Sequence, residues 1–289
     1  MAAQLPCVWA SHGAPFGPSA CDAHVAAVNS YAAYVYPPRE QYFYARSTGP
    51  AVSVFHGRQE HMATLTPHGT VQVACVALAY ESASGDMLLA AGAGTRVVVW
   101  RLKAAAPPHV QQVPVYSGWA LDSTLDAGAQ VYSVALGARL AVGTLHGVAV
   151  YGRDVSWRPT WRTASPRGIL AVRWSHDEQL LAAVPQHDTR IAVWKTHTFA
   201  LAARIAHTRA VQSFAWRSPS EQGAGHAHVL ATTTTDGVVR FFSTFPDAPL
   251  AFRMVAAVDA ATEGDELPCR MLSTVYIDAW SAHLSLIHI

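Results

Sequence analysis

Lysine occurs only at Lys103 and Lys195 and asparagine only at Asn29, and charged residues of every kind make up 13% of the sequence. That is about half the usual quarter. With 51% hydrophobic residues, so little charge excludes a self-repelling, disordered chain. Abundant alanine and arginine beside scarce lysine and asparagine fit GC-rich coding DNA, so alanine is weak grounds for helix. Propensity yields to tertiary context in any case. A net charge of +1 gives no general attraction to nucleic acid or to an anionic membrane, and the 20 basic residues include no run of three.

Cysteine is scarce too. Cys7, Cys21, Cys75 and Cys269 lie far apart and form no C-x-x-C pair. A metal site or a dense disulfide framework needs clustering, so reduced thiols in a cytosolic protein are expected. Residues 1–17 lack a basic start and a continuous apolar core, which argues against a secretory signal. The longest apolar stretch, 71–80, contains Gln72 and is far too short to span a bilayer. At 289 residues the chain can be one large all-β domain or two ordinary domains.

What is present is a strand that returns. Val97-Val98-Val99-Trp100, Val148-Ala149-Val150-Tyr151, Ile191-Ala192-Val193-Trp194 and Val238-Val239-Arg240-Phe241 are apolar runs closing on an aromatic, and 51–55 is a fifth. Their aromatic ends recur roughly every 43 to 51 residues, near the ~40–45-residue period of a four-stranded propeller blade. Each repeat has the same internal order. Strands are expected at 71–80, 87–91 and 97–102, then at 131–136, 139–142 and 148–151. The third set is 169–174, 180–184 and 191–194, and the fourth is 211–216, 229–234 and 238–242. Gly, Ser and Asp mark the turns between them, with Asp236-Gly237 a tight hairpin signal. Segments 110–116 and 199–205 are candidate outer strands, while Pro-rich 104–109 and Gly/Ser-rich 218–228 are surface connections. Upstream, 25–36 and 41–45 supply a first, irregular blade. Downstream, 252–258 and 271–277 look like the start of a sixth.

The fold expected is therefore an all-β propeller, with one domain over 1–289. Its blades are expected near 20–56, 71–102, 110–152, 163–196 and 199–244, with a partial blade at 250–289. Five blades and a piece leave an exposed sheet edge. The chain is thus expected to be a fragment of a longer protein, and the uncapped apolar finish at 284–289 to be non-native.

The fourth repeat carries His207 before its first inner strand, Ser213 within it, Asp236 in its last hairpin, and Phe241 at its aromatic position. This resembles the WD repeat, in which a His, a Ser/Thr, an Asp and a Trp form a buried hydrogen-bond chain. A buried carboxylate must be paired to be tolerated. The third repeat keeps Asp188 and Trp194, and the first complete one keeps Trp100. On the same resemblance these six residues form a structural network and are not an active site. Longer stretches are more particular. Residues 206–217 (AHTRAVQSFAWR) resemble the His-Pro-Arg-Ala-Val…Trp-Arg segment of the rabconnectin and DmX-like family, with Thr208 in place of its proline. Residues 161–168, 188–194, 68–76 and 90–100 follow that family's order as well. The resemblance covers most of 40–245.

It implies part of the first propeller of a very long, non-catalytic cytosolic protein, the fungal member of which is the large RAVE subunit. Such proteins bind the detached cytosolic sector of the vacuolar and endosomal proton ATPase and help it rejoin its membrane sector. The implied partners are cytosolic-sector subunits and the other RAVE subunits. No nucleic acid, cofactor or membrane insertion is implied, and the implied location is the cytoplasm, peripheral to vacuolar or endosomal membranes. Arg209 and Arg217 flank the matching segment and are the candidate partner contacts. Two other readings stand beside this one: a generic WD-repeat adaptor in vesicle trafficking, ubiquitin ligation or chromatin, and a propeller enzyme with a catalytic channel.

Several constellations have bland readings. His226-Ala-His228 has metal-ligand spacing but no third ligand near it in the sequence. Residues 92–95 (GAGT) are followed by a strand, where a phosphate loop needs a helix amino terminus. Asp177-Glu178 and Asp265-Glu266 read as solvated turn tips. Ser213, His207 and Asp236 imitate a nucleophile triad without an oxyanion-hole turn. Trp100, Trp174, Trp194 and Trp216 read as core packing before base-stacking platforms.

Overall fold

A computed structural model describes residues 32–35, 43–56, 60–81, 84–104, 116–154, 156–175, 177–216, 228–245 and 248–259. Every regular element among them is a strand. The first sheet has the order β1 (Ala32–Val35), β2 (Phe43–Thr48), β3 (Ala51–His56), β4 (Glu60–Leu65). The second runs β5 (Val73–Tyr80), β6 (Met87–Ala93), β7 (Arg96–Ala104), β8 (Tyr116–Asp126). The third is β9 (Val131–Leu136), β10 (Leu140–Thr144), β11 (Gly147–Arg153), β12 (Trp157–Ala164). The fourth is β13 (Ile169–Trp174), β14 (Leu180–Pro185), β15 (Arg190–Lys195), β16 (Leu201–Ala206). The fifth is β17 (Val211–Trp216), β18 (Val229–Thr234), β19 (Val238–Phe245), β20 (Ala248–Asp259). Each sheet is four consecutive strands, so every pairing follows from hairpin-like connections.

The chain divides into two compact units, one of 24–174 and one that includes 175–289. In the first, the second sheet is packed on both sides. Leu89, Ala91, Val98 and Trp100 face a cluster with Phe43, Val52 and Val54 of the first sheet. Leu88, Ala90, Val97 and Val99 face Val131, Leu140, Val142 and Tyr151 of the third. Alternate residues of one strand thus enter different cores, and β6 is buried along its whole length. This is why the second strand of this sheet reads as a continuous apolar run rather than an alternating one.

The repeat is also visible in its irregularities. In all five sheets the pairing of the third strand with the fourth slips at a corresponding place, and in the second and fifth sheets it slips again further on. The corresponding slips fall at Val54/Phe55, Val99/Trp100, Val150/Tyr151, Val193/Trp194 and Phe241/Phe242. Each is a bulge that gives the outer strand one extra residue beside the repeat's aromatic. This register places Phe242, not Phe241, at the aromatic position of the last repeat.

The outer strands account for the other departures from the sequence reading. The second sheet's outer strand is Tyr116–Asp126 rather than 110–116, and its blade therefore extends past 102. Trp157–Ala164 closes the third sheet, although the sequence reading begins the next blade at 163. Ala248–Asp259 pairs with β19 and completes the fifth sheet, where 252–258 was expected to open a sixth. These strands have one solvated face and a mixed sequence, which blurs their pattern. Segment 271–277 lies outside the described residues.

Sheet-to-sheet contact in the first unit is close. The Ser133 hydroxyl accepts a hydrogen bond from the Val172 amide at 3.1 Å, and Trp174 Nε1 donates to the Ala135 carbonyl at 3.1 Å. A Cβ on Gly143 would lie 2.7 Å from Cγ2 of Ile169, and one on Gly92 would lie 2.6 Å from Cγ1 of Val131. Gly143→Val should therefore force apart β10 and β13, lowering stability by about 1–3 kcal/mol in chemical denaturation. An unchanged unfolding midpoint would contradict the packing described.

Candidate functional site

The second unit holds the residues singled out in the last repeat. His207 follows β16, and its amide donates to the Thr189 carbonyl at 2.8 Å. Its Nδ1 lies 3.3 Å from the same oxygen, which can only accept, so Nδ1 carries the ring proton. Nε2 then accepts from the Thr232 hydroxyl at 2.9 Å. The ring also meets Phe242 edge-on, with centroids 5.1 Å apart. Burial lowers the His207 pKa, as does the nearby Arg240 charge, against the raising effects of Asp236 and of the Thr189 and Ile205 backbone hydrogen bonds. The ring is held neutral.

Ser213 is buried on β17, in register with Thr233, and the hydroxyl that meets His207 belongs to Thr232 on β18. Asp236 forms a separate cluster at the apex of the β18–β19 hairpin. Its Oδ1 accepts from the Thr234 hydroxyl and from the Val238 amide at 3.2 Å, and its Oδ2 accepts from Arg240 Nη2 at 2.9 Å. Arg240 Nη1 donates to Thr234 as well. Burial alone would raise the Asp236 pKa, but the Arg240, Thr234 and Val238 hydrogen bonds outweigh it and hold the carboxyl well below its ordinary range. Gly237, at φ +78°, supplies the left-handed residue that the hairpin needs. The structure thus brings His207 to Thr232 and Asp236 to Arg240, and each set joins neighbouring strands.

Asp188 organises the hairpin between β14 and β15. Its Oδ1 accepts from the Arg190 amide at 3.0 Å and lies 3.3 Å from Arg190 Nε. Its carbonyl accepts from the Val211 amide at 2.9 Å, which ties this hairpin to the 206–211 loop. Both loops carry an arginine into solvent: Arg190, with its side chain 62% exposed, and Arg209, also exposed. Trp194 is half-buried on β15, and Trp100 lies in the core between the first and second sheets. Arg217, His226, Asp265 and Glu266 lie outside the described residues, as do Cys7, Cys21 and Cys269.

The other candidates resolve simply. Gly94 and Thr95 form the β6–β7 hairpin turn. Asp177 accepts from the Ser175 hydroxyl at 2.7 Å and the Gln179 amide at 3.1 Å, capping the turn before β14. No group of three or more metal-ligating side chains occurs among the described residues. Burial pushes the Cys75 thiol up to about 12, against a lowering hydrogen bond from Gly92, so it is an inert core residue.

One cluster escaped the sequence reading. Arg101 Nη1 donates to Asp86 Oδ2 at 2.6 Å, and its Nε to Asp122 Oδ1 at 3.2 Å. Arg153 of β11 donates to Glu81 Oε1 at 2.6 Å, and Trp157 Nε1 to Asp122 Oδ2 at 2.9 Å. Asp122 is the extra residue of the β8 bulge. The cluster therefore links the second sheet to the third through residues far apart in the sequence, such as Glu81 and Arg153. The cluster leaves no signal in the sequence, because a bulge is not legible in a single strand.

No protein-family model matches the sequence, and no curated protein matches it. By contrast, 1030 solved chains match the structure. A chain of the crystal structure of the Mitotic Checkpoint Complex aligns with a TM-score of 0.57 and 18% identity, over 83% of this chain and 65% of that one. Sqt1 of Saccharomyces cerevisiae aligns with a TM-score of 0.53 and 13% identity, over 74% of this chain and 59% of its own. This chain spans less than two thirds of either. Identities this low carry the fold and nothing more, and a fold so widely shared selects no activity. The chain has the fold of an incomplete WD-repeat propeller.

Asp236→Ala should leave Arg240 and Thr234 without their carboxylate and cost about 1–3 kcal/mol of stability. An unchanged unfolding midpoint would contradict the cluster. The pH dependence has a definite sign. With its folded pKa below the ordinary 6.5, His207 lets the unfolded chain take up the proton first. Stability is complete above pH 6.5 and declines as pH falls toward the lower folded value. Asp236, depressed below 3.8, adds a further loss at more acid pH. Denaturation followed from pH 8 to 4 should show the first decline, and His207→Asn should flatten it.

Proposed function

We propose that this chain is a non-catalytic, protein-binding scaffold. The observation that carries the proposal is the use made of its polar groups. His207 and Asp236, the chain's imitation of a catalytic pair, are engaged by Thr232 and Arg240 in ties between strands. Two joined loops meanwhile hold Arg190 and Arg209 out to solvent on a rigid support. Exposed arginines on ordered loops suit protein recognition, where a few anchors supply most of the affinity.

The finer reading rests on the resemblance of 206–217, and of the segments before it, to the rabconnectin and DmX-like family. On that reading the chain belongs to a long cytosolic subunit that promotes assembly of the vacuolar and endosomal proton ATPase. It acts by binding cytosolic-sector subunits and other RAVE subunits at the membrane periphery. Affinity capture of the full-length product, with its partners identified by mass spectrometry, tests this. Cytosolic-sector subunits should be recovered, and in greater amount when the pump is disassembled. A reproducible partner set without them contradicts the pump reading and leaves the scaffold reading standing.

A further inference from the structure

The first strand of each sheet follows a side-chain plan. In β5, Val73, Val76 and Leu78 pack toward the first sheet, whereas Cys75 and Ala77 pack toward the third. β9 repeats this, with Val131, Val134 and Leu136 packed toward the second sheet. The pairing of β5, β9 and β17 with the second strand of each sheet slips near its start and leaves the second residue extra. Positions one, four and six of each run therefore face the preceding sheet, and positions three and five the following one. β13 shows how the next sheet engages. Ile169, at position one, lies against Gly143, and the Val172 amide, at position four, donates to the Ser133 hydroxyl. In the fifth sheet Ser213 and Thr233 are paired as Ser133 and Gly143 are in the third. Both are 3% exposed, so this face is covered, and the buried Thr233 hydroxyl has no hydrogen-bond partner. Among the described residues no strand follows β20.

We infer that residues 271–276, outside the described residues, are the segment that docks on this face as a further inner strand, an assignment that does not rest on the scaffold reading. Their sequence, Met-Leu-Ser-Thr-Val-Tyr, fits the plan position by position. In β5, β9, β13 and β17 position one is Val or Ile, position three Cys, Ser or Ala, and position six Leu or Trp. Met271, Ser273 and Tyr276 take those places. Position four carries the match to the fifth sheet. It is Val76, Val134, Val172 and Phe214 in the four strands, and Thr274 here. A hydroxyl is thus brought beside Thr233, whose own buried hydroxyl needs a partner, while the Thr274 amide donates to Ser213 as the Val172 amide does to Ser133. A buried hydroxyl left alone costs more than a typical hydrogen bond returns, so the pairing selects this segment. The connection 260–270 is longer than 127–130, 165–168 and 207–210, which join earlier outer strands to the next inner strand. At roughly 3.3 Å per extended residue it spans the same gap with slack.

Hydrogen exchange of the 289-residue chain, read by mass spectrometry, should show the amides of 271–276 protected to the level of Val211–Trp216. Met271→Asp should abolish that protection and speed exchange over Val211–Trp216 and Val229–Thr234, while Val131–Leu136 in the other unit keeps its rate. Thr233→Val and Thr274→Val each leave one hydroxyl alone, and each should speed exchange of 271–276 about tenfold. The double variant T233V/T274V should return it toward the wild-type rate, because two apolar groups of the same shape replace a satisfied pair. That rescue identifies the occupant, since any other cover over Thr233 would make the two substitutions independent. Exchange of 271–276 at the rate of an unstructured peptide overturns the inference. So does a Met271→Asp variant that leaves β17 and β18 unchanged, or a double variant whose effect is the sum of the two single ones. Should Met271→Asp unfold the whole chain, the threonine variants decide.

Discussion

The structure depends on sheets that bury each other. A β-strand has two faces, and in the second and third sheets the inner strands β6 and β10 expose neither. Met87–Ala93 sends Leu89 and Ala91 into one core and Leu88 and Ala90 into another. A sheet of this composition has no solvated side, and removing a neighbour would expose a continuous apolar face. The close glycines follow from the same constraint. Gly92 and Gly143 stand where the next sheet's Val131 and Ile169 come closest, and a Cβ has no room there. The protein consequently has little freedom in its inner strands and much more at its outer ones.

Polar residues are placed where that packing leaves gaps. Bulges beside the five aromatics free one outer-strand residue per sheet, and in β8 that residue is Asp122, the centre of the Arg101–Arg153 ion-pair cluster. Turns are closed by short-range acceptors, among them Asp177, Asp188 and Asp236. The partly buried Asp236 carboxylate is tolerated because each of its oxygens meets a donor, and the cost of leaving one unmatched exceeds the gain from a typical hydrogen bond. Charge is scarce in this chain, and much of what it has is spent on ties between strands.

The legibility of the sequence varied with burial. Inner strands such as 87–91 and 148–151 announced themselves because both faces are apolar and Gly or Asp brackets them. Of the outer strands, only 199–205 was legible, and it corresponds to Leu201–Ala206. Tyr116–Asp126 and Trp157–Ala164 are half-solvated and mix Trp, Arg, Ser and Pro, so neither alternation nor hydrophobic runs survive. The aromatic position of the last repeat was read one residue early, because Phe241 and Phe242 are adjacent and only the bulge register separates them. The candidate network was recognisable by residue type, but its partners were not. His207 meets Thr232 rather than Ser213, a choice set by how β17 and β18 align. Arg101, Asp122 and Arg153 left no mark at all, since their meeting requires two sheets.

Native-state hydrogen exchange, read by mass spectrometry along the chain, tests most directly whether inter-sheet burial holds this fold. Protection should be greatest over Met87–Ala93 and Leu140–Thr144 and least over the outer strands, where one face is solvated. Among amides hydrogen-bonded within a sheet, exchange in β8 and β12 as slow as in β6 and β10 would contradict the account, because protection would then follow hydrogen bonding alone and not packing between sheets.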